Sequence, residues 1–276
     1  MQSNFFDYNL PIGIFDSGVG GLTVFKSLIK ELPNESFIYM GDTARIPYGI
    51  KSSDTVQRYS IQVCRMLISR GIKMLVIACN TISALAIPVL RSYFPSIPII
   101  GVIESGAEVA CQVTKNNVIA VIATEATVKS QGYRQAINSL NPMIKVFEKE
   151  CGLFVSLVEE GLAEDYISTL VAEKYLNSLI HKNIKKPDCL ILGCTHFPIM
   201  IGAIRKAVGN EITVIDSADA ISKFISNYLK KNNFLNNSSH SFVRFLVTDR
   251  PDRFLQIGKE IMLVNMSDKD VEWIDL

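Results

Sequence analysis

Apolar residues in this chain come in short unbroken runs, and between the runs they recur at helical spacing. Ile12–Asp16 (IGIFD) is such a run. It leads into Ser17-Gly18-Val19-Gly20-Gly21, after which Leu22, Phe25, Leu28 and Ile29 fall on one helical face. Ser36–Met40 reads as a second strand, and the loop GDTARIPYG follows, where Pro47 and Gly49 interrupt regular structure. A helix is expected over 52–70, then a strand within LVIACNT (75–81) ending at Cys79, then a strand at Pro98–Val102. Runs of this length, rich in β-branched residues, suit strands covered on both faces, and their alternation with helices predicts a parallel sheet.

The pattern then restarts. Val118–Ile122 is a strand, a helix begins near Val128, and Ile144–Glu148 is a further strand. Glu159 ends an apolar run, LVEEG, expected to be strand-like. A long helix over 164–181 leads to LILGCTH (190–196), which carries Cys194. Ile14 precedes Cys79 by 65 residues and Val121 precedes Cys194 by 73, so the halves match in order and nearly in length, as an internal duplication would. Thr213–Ile215 (strand), 218–231 (helix), 242–248 (strand) and a helix from about 252 complete the chain. The expected fold class is α/β: two similar domains with parallel-sheet cores related by pseudo-twofold symmetry, and an active site at their interface. The expected division is 1–103 plus 218–276 for the first domain and 104–217 for the second, with the tail packing back on the first. Trp273, Phe242, Phe245 and Phe254 are expected in its core.

Composition removes several classes of function. The 276 residues are 48% apolar, enough for two compact cores, and 28 basic against 27 acidic residues leave a formal charge of +1. That balance argues against nucleic acid or an anionic membrane as partner. Six cysteines show neither CxxC nor metal-ligand spacing, so a disulfide framework and a metal centre are not expected. The N-terminal residues lack the pattern of a signal peptide, and no segment reaches the roughly 18 apolar residues of a membrane span, which points to a cytoplasmic protein with reduced thiols.

Chemistry concentrates where the two matching strands end. A lone Cys79 would read as a small buried hydrophobe. Paired with Cys194, and with Asn80-Thr81 and Thr195-His196 following, it reads as half of a two-sided site at the carboxyl edge of the sheets. Removing a proton from a carbon beside a carboxylate and returning one to the opposite face needs a base on one side and an acid on the other. Two thiols meet that demand without a cofactor. A redox pair is the weaker alternative, because the local dithiol spacing is absent. Asp16-Ser17 shares the edge, and its glycine turn lacks both the dinucleotide fingerprint and a Walker lysine. It is either a small-anion cradle or a tight turn with Asp16 as helix cap. Tyr48-Gly49 is likewise an ordered loop or an anion-binding segment. His196 and Glu159 are candidates for assisting proton transfer, or else satisfied structural groups.

IGIFDSGVGGLTV, YMGDTARIPYG, IACNTISAL, PIIGVIESG, LGCTHFPIM and VIDSADA, in this order and spacing, closely resemble the bacterial glutamate racemases of the aspartate/glutamate racemase superfamily. The likeness runs from about Ile12 to Phe254. It implies cofactor-independent interconversion of L- and D-glutamate, the D-isomer serving peptidoglycan synthesis. By analogy Cys79 deprotonates D-glutamate and Cys194 L-glutamate, assisted by Asp16, Glu159 and His196. Substrate contacts are implied at Asp16, Ser17, Tyr48, Gly49, Asn80, Thr81, Thr127, Thr195 and His196, and a homodimer is expected. The chain departs from the family at Ala123-Thr124, where Gly usually precedes Thr, and at Cys151-Gly152, where Cys-Pro is common. The competing readings are a racemase for aspartate or another amino acid, and a non-catalytic amino-acid binding protein.

Overall fold

The computed structural model describes residues 7–181, 185–238, 240–262 and 266–276. Its strands are β1 (Ile12–Asp16), β2 (Phe37–Gly41), β3 (Met74–Ile77), β4 (Ile99–Gly101), β5 (Val118–Ala123), β6 (Lys145–Glu150), β7 (Cys189–Gly193), β8 (Thr213–Asp216), β9 (Val243–Val247) and β10 (Val271–Trp273). The helices are α1 (Leu22–Glu31), α2 (Ser53–Ser69), α3 (Asn80–Leu85), α4 (Ile87–Tyr93), α5 (Val102–Val113), α6 (Glu125–Ser130), α7 (Gly132–Leu140), α8 (Leu153–Glu159), α9 (Tyr166–His181), α10 (Ile201–Val208), α11 (Ser217–Asn232) and α12 (Pro251–Met262).

These strands form two sheets, a six-stranded one in the order β10-β9-β2-β1-β3-β4 and a four-stranded one in the order β6-β5-β7-β8, with every pairing parallel. The order β2-β1-β3-β4 is repeated as β6-β5-β7-β8. The duplication read from the sequence is therefore a repeat of topology, and the fold is two α/β domains.

Each central strand is apolar on both faces because helices cover both. In the first sheet, Ile12, Ile14 and Val76 pack with Phe25 and Leu28 of α1 and Ile221 and Ile225 of α11. Phe15, Leu75 and Ile77 pack on the other side with Val56, Val63 and Leu67 of α2. Val56, Val63 and Leu67 recur on one face of α2, whose start is fixed by the Ser52 side chain accepting from the Thr55 N–H. The second sheet is sandwiched in the same way, by α8, α9 and α10 on one face and α5 and α7 on the other.

Three expectations need correction. Glu159 ends a helix, α8, because Phe154, Leu157 and Val158 are buried at i, i+3 and i+4, a helical period hidden within a short apolar run. The helix expected near Val128 begins at Glu125, since the Thr124 side chain caps it by accepting from the Thr127 N–H. Of the four tail aromatics only Phe245 and Phe254 are core. Phe242 and Trp273 are exposed, and Trp273 serves instead by donating its indole N–H to the Thr248 carbonyl at 3.0 Å. The tail does add to the first sheet, with β9 pairing to β2 and β10 to β9. No helix among the described residues is long and apolar enough to cross a membrane.

Candidate active site

Parallel strands that share a direction present their carboxyl ends together, and that edge gathers the predicted groups. β1 delivers Asp16 and Ser17, β3 delivers Cys79, and β7 delivers Cys194 immediately after Gly193. Both thiols are reduced and buried, each 6% exposed.

The two thiols have different companions. Cys79 Sγ lies 3.5 Å from the Ser17 hydroxyl. Burial, and after it the negative charge of Asp16, pushes the Cys79 thiol up to about 12. Asp16 is fully buried, and burial raises its own carboxyl above the usual range, although the Gly18 N–H donates to Oδ2 at 2.9 Å. Cys194 Sγ is 3.8 Å from His196 Nδ1, and His196 Nε2 is 3.2 Å from Glu159 Oε1. Burial alone would lower the His196 imidazole. Its hydrogen bonds to Cys194 and Glu159 outweigh burial and push it up to about 10.

Two buried polar atoms beside the thiols have no hydrogen-bond partner among the described residues: Asp16 Oδ1, an acceptor, and Asn80 Nδ2, a donor. Buried groups of this kind are costly unless something pairs with them. An acceptor and a donor flanking a thiol match the ammonium and carboxylate of an amino acid.

The other predicted residues are brought to the same seam. Thr81 Oγ1 lies 3.0 Å from Thr124 Oγ1 and 3.4 Å from Thr127 Oγ1, with Thr124 and Thr127 also 3.0 Å apart, so three hydroxyls from the two halves meet. Gly49 packs so closely on Thr124 that a Cβ there would stand 2.7 Å from the threonine Cβ. Tyr48 is buried, and its hydroxyl donates to Asp42, which Arg45 also binds; that side chain anchors the loop whose next backbone unit is Gly49. Thr195 accepts from the Thr23 hydroxyl through its carbonyl at 3.1 Å, which ties the segment after Cys194 to the first helix of the other half.

Sequence reasoning passed over three residues here. Thr124 was visible as the first hydroxyl of a T-x-x-T cap. Gly20 read as mere turn, yet a Cβ there would stand 2.5 Å from both His196 Nδ1 and Thr195 Oγ1. Tyr133 carried no signal at all, since an aromatic on an amphipathic helix reads as core.

This constellation can be set beside known proteins. A family model described as Asp/Glu/Hydantoin racemase matches residues 12–225. A glutamate racemase from Geobacter metallireducens is 43% identical over 252 residues, 91% of this chain and 92% of the relative. The crystal structure of glutamate racemase from Francisella tularensis in complex with D-glutamate superposes with a TM-score of 0.90 at 42% identity, covering 97% of this chain and 98% of that one. An aspartate racemase from Picrophilus torridus shares the fold alone, at 18% identity and a TM-score of 0.53. With two sheets of one topology, two buried thiols at their facing edges and this degree of identity over nearly the whole length, the chain belongs to the Asp/Glu/hydantoin racemase family and is an isomerase, an amino-acid racemase.

Proposed function

We propose that the chain interconverts L- and D-glutamate without a cofactor, with Cys79 and Cys194 acting from opposite faces of Cα. The observation that carries this reading is the delivery of one buried thiol by each of two topologically equivalent sheets, each thiol with its own polar companions. Glutamate is favoured over aspartate because identity to curated glutamate racemases reaches 43% over 91% of the chain. The F. tularensis relative also holds D-glutamate in its structure.

In the D-to-L direction Cys79, as thiolate, takes the Cα proton. The C–H bond breaks, its electron pair spreads into the carboxylate, and the Cys194 thiol returns a proton from the other side. In the L-to-D direction the roles exchange. Asp16 Oδ1 receives the substrate ammonium, and this cation offsets the carboxylate charge that, after burial, most opposes ionisation of Cys79. Substrate binding therefore readies the base. On the other side the His196 imidazolium and Cys194 share a mobile proton, with Glu159 holding the ring. Ser17, Gly49, Asn80, Thr81, Thr127 and Thr195 supply the surrounding donors, with Tyr48 anchoring Gly49. We further infer that 1–103 with 218–276 and 104–217 act as the two units, that the protein is a cytoplasmic homodimer, and that its D-glutamate serves peptidoglycan synthesis.

The test is replacement of either thiol by serine. Racemisation followed by optical rotation should fall on the order of 10²–10⁴-fold or more in each variant, the range for a positioned acid or base. With a substrate analogue bearing a leaving group at Cβ, deprotonation alone suffices for elimination. Cys79→Ser should then process the L-enantiomer and Cys194→Ser the D-enantiomer. A shared preference in both variants, or near wild-type racemisation in either, would reject the two-thiol mechanism.

A further inference from the structure

Asn80 follows Cys79 directly, and its side chain is divided between two surroundings. Oδ1 receives a hydrogen bond from the Tyr133 hydroxyl at 2.7 Å, while Nδ2 is buried without a partner among the described residues. Tyr133 itself is fully buried on α7, in the other half of the molecule. Its ring lies against Gly193, the residue before Cys194, so closely that a Cβ there would stand 3.0 Å from Tyr133 Cε2. One side chain thus touches the neighbours of both thiols, by hydrogen bond on the Cys79 side and by van der Waals contact on the Cys194 side.

An asparagine amide can turn over, exchanging donor for acceptor at little cost when nothing fixes it. Here the phenol donates to Oδ1, which leaves Nδ2 as the end of the amide free to donate elsewhere. The amide N–H groups are then directed away from Tyr133, where a carboxylate can accept from them. We propose that Tyr133 is a positioning residue for substrate: its phenol, reaching across the seam, locks the Asn80 amide with Nδ2 turned toward the cleft to hold a substrate carboxylate. This rests on the reading of Asn80 as a substrate contact given above.

Tyr133→Phe keeps the ring against Gly193 and removes only the hydroxyl. Because the lost interaction serves ground state and transition state alike, KM for both glutamate enantiomers should rise about 10-fold while kcat changes less. In an Asn80→Ala background the same substitution should add less than about 2-fold to KM, since the group it orients is gone. A folded Tyr133→Phe enzyme with unchanged KM, or a KM effect equally large in the Asn80→Ala background, overturns the proposal. The wild-type protein gives an independent reading should the variant not fold. Its Asn80 side-chain amide signal, assigned by its loss in ¹⁵N-labelled Asn80→Ala, should shift on titration with D-glutamate. A signal unmoved at saturation overturns the proposal as well. Wild-type racemisation of glutamate, measured first, separates these failures from failure of the assigned reaction.

Discussion

Replacing Gly20 by alanine tests whether the placement of His196 matters to the chemistry on the Cys194 side alone. The backbone at Gly20 needs no left-handed conformation, so an added methyl acts only through what it touches. It would stand 2.5 Å from His196 Nδ1, 2.5 Å from Thr195 Oγ1 and 2.6 Å from His196 Cε1. Non-bonded carbon contacts relax to about 3.5–4.0 Å, so the His196 ring or the turn carrying Gly20 must withdraw by about 1 Å. His196 has little room to comply, being buried with Cys194 on one nitrogen and Glu159 on the other. Overpacking of this kind costs about 1–3 kcal/mol, which a domain with about 5–15 kcal/mol of stability survives. A misplacement of about 1 Å at a proton-carrying group costs on the order of 10²-fold in rate.

Racemisation rates cannot locate that loss, because the equilibrium constant between enantiomers fixes the ratio of kcat/KM in the two directions. Elimination from a Cβ-leaving-group analogue can, since each enantiomer then needs only its own base. In Gly20→Ala the L-enantiomer should eliminate about 10²-fold more slowly, while the D-enantiomer, handled by Cys79, stays near the wild-type rate. Equal slowing of both enantiomers in a folded variant, or wild-type rates for both, would refute the assignment of His196 to Cys194.

Two further outcomes follow from the charges in the site. Asp16→Asn keeps a side-chain oxygen for the Gly18 N–H and removes a buried charge, so thermal stability should change little while kcat falls at least about 10-fold; unchanged turnover would reduce Asp16 to a structural turn residue. His196 binds its proton more tightly folded, at about 10, than at its ordinary 6.5, so its contribution to stability is complete below 6.5 and is lost as pH rises through about 10. The gap in denaturant midpoint between wild type and His196→Asn should therefore narrow over that window, and a gap constant with pH would count against the raised imidazole.

The features legible in the sequence were those fixed by local periodicity. Strands β3, β5 and β7, and β1 as far as Phe15, carry no polar side chain because helices bury both faces, and such runs announce themselves without knowledge of their neighbours. Both thiols were found in the same way, as the polar ends of two such runs. What escaped depends on neighbours distant in sequence. The role of Tyr133 exists only because α7 packs under Asn80, 53 residues away. The tightness at Gly20 exists only because Thr23 binds the carbonyl of Thr195, 172 residues on. Glu159 was read into a strand and ends a helix, because an apolar run as short as that of α8 satisfies both strand and helix templates.

The two halves repeat one topology, yet they do not repeat one chemistry. Cys79 is accompanied by a hydroxyl and a buried carboxyl group, whereas Cys194 is accompanied by an imidazole held by Glu159. Perfect symmetry would serve a symmetric substrate, but an amino acid presents its ammonium, carboxylate and side chain to different walls. In the proposed mechanism the ammonium is set against Asp16, so the cation lies on the Cys79 side and can offset the cost of a thiolate there. On the Cys194 side the polar partner belongs to the fold itself, His196 held by Glu159. On this view the two halves differ in where the polar support of each thiol comes from: the ligand on one side, the fold on the other.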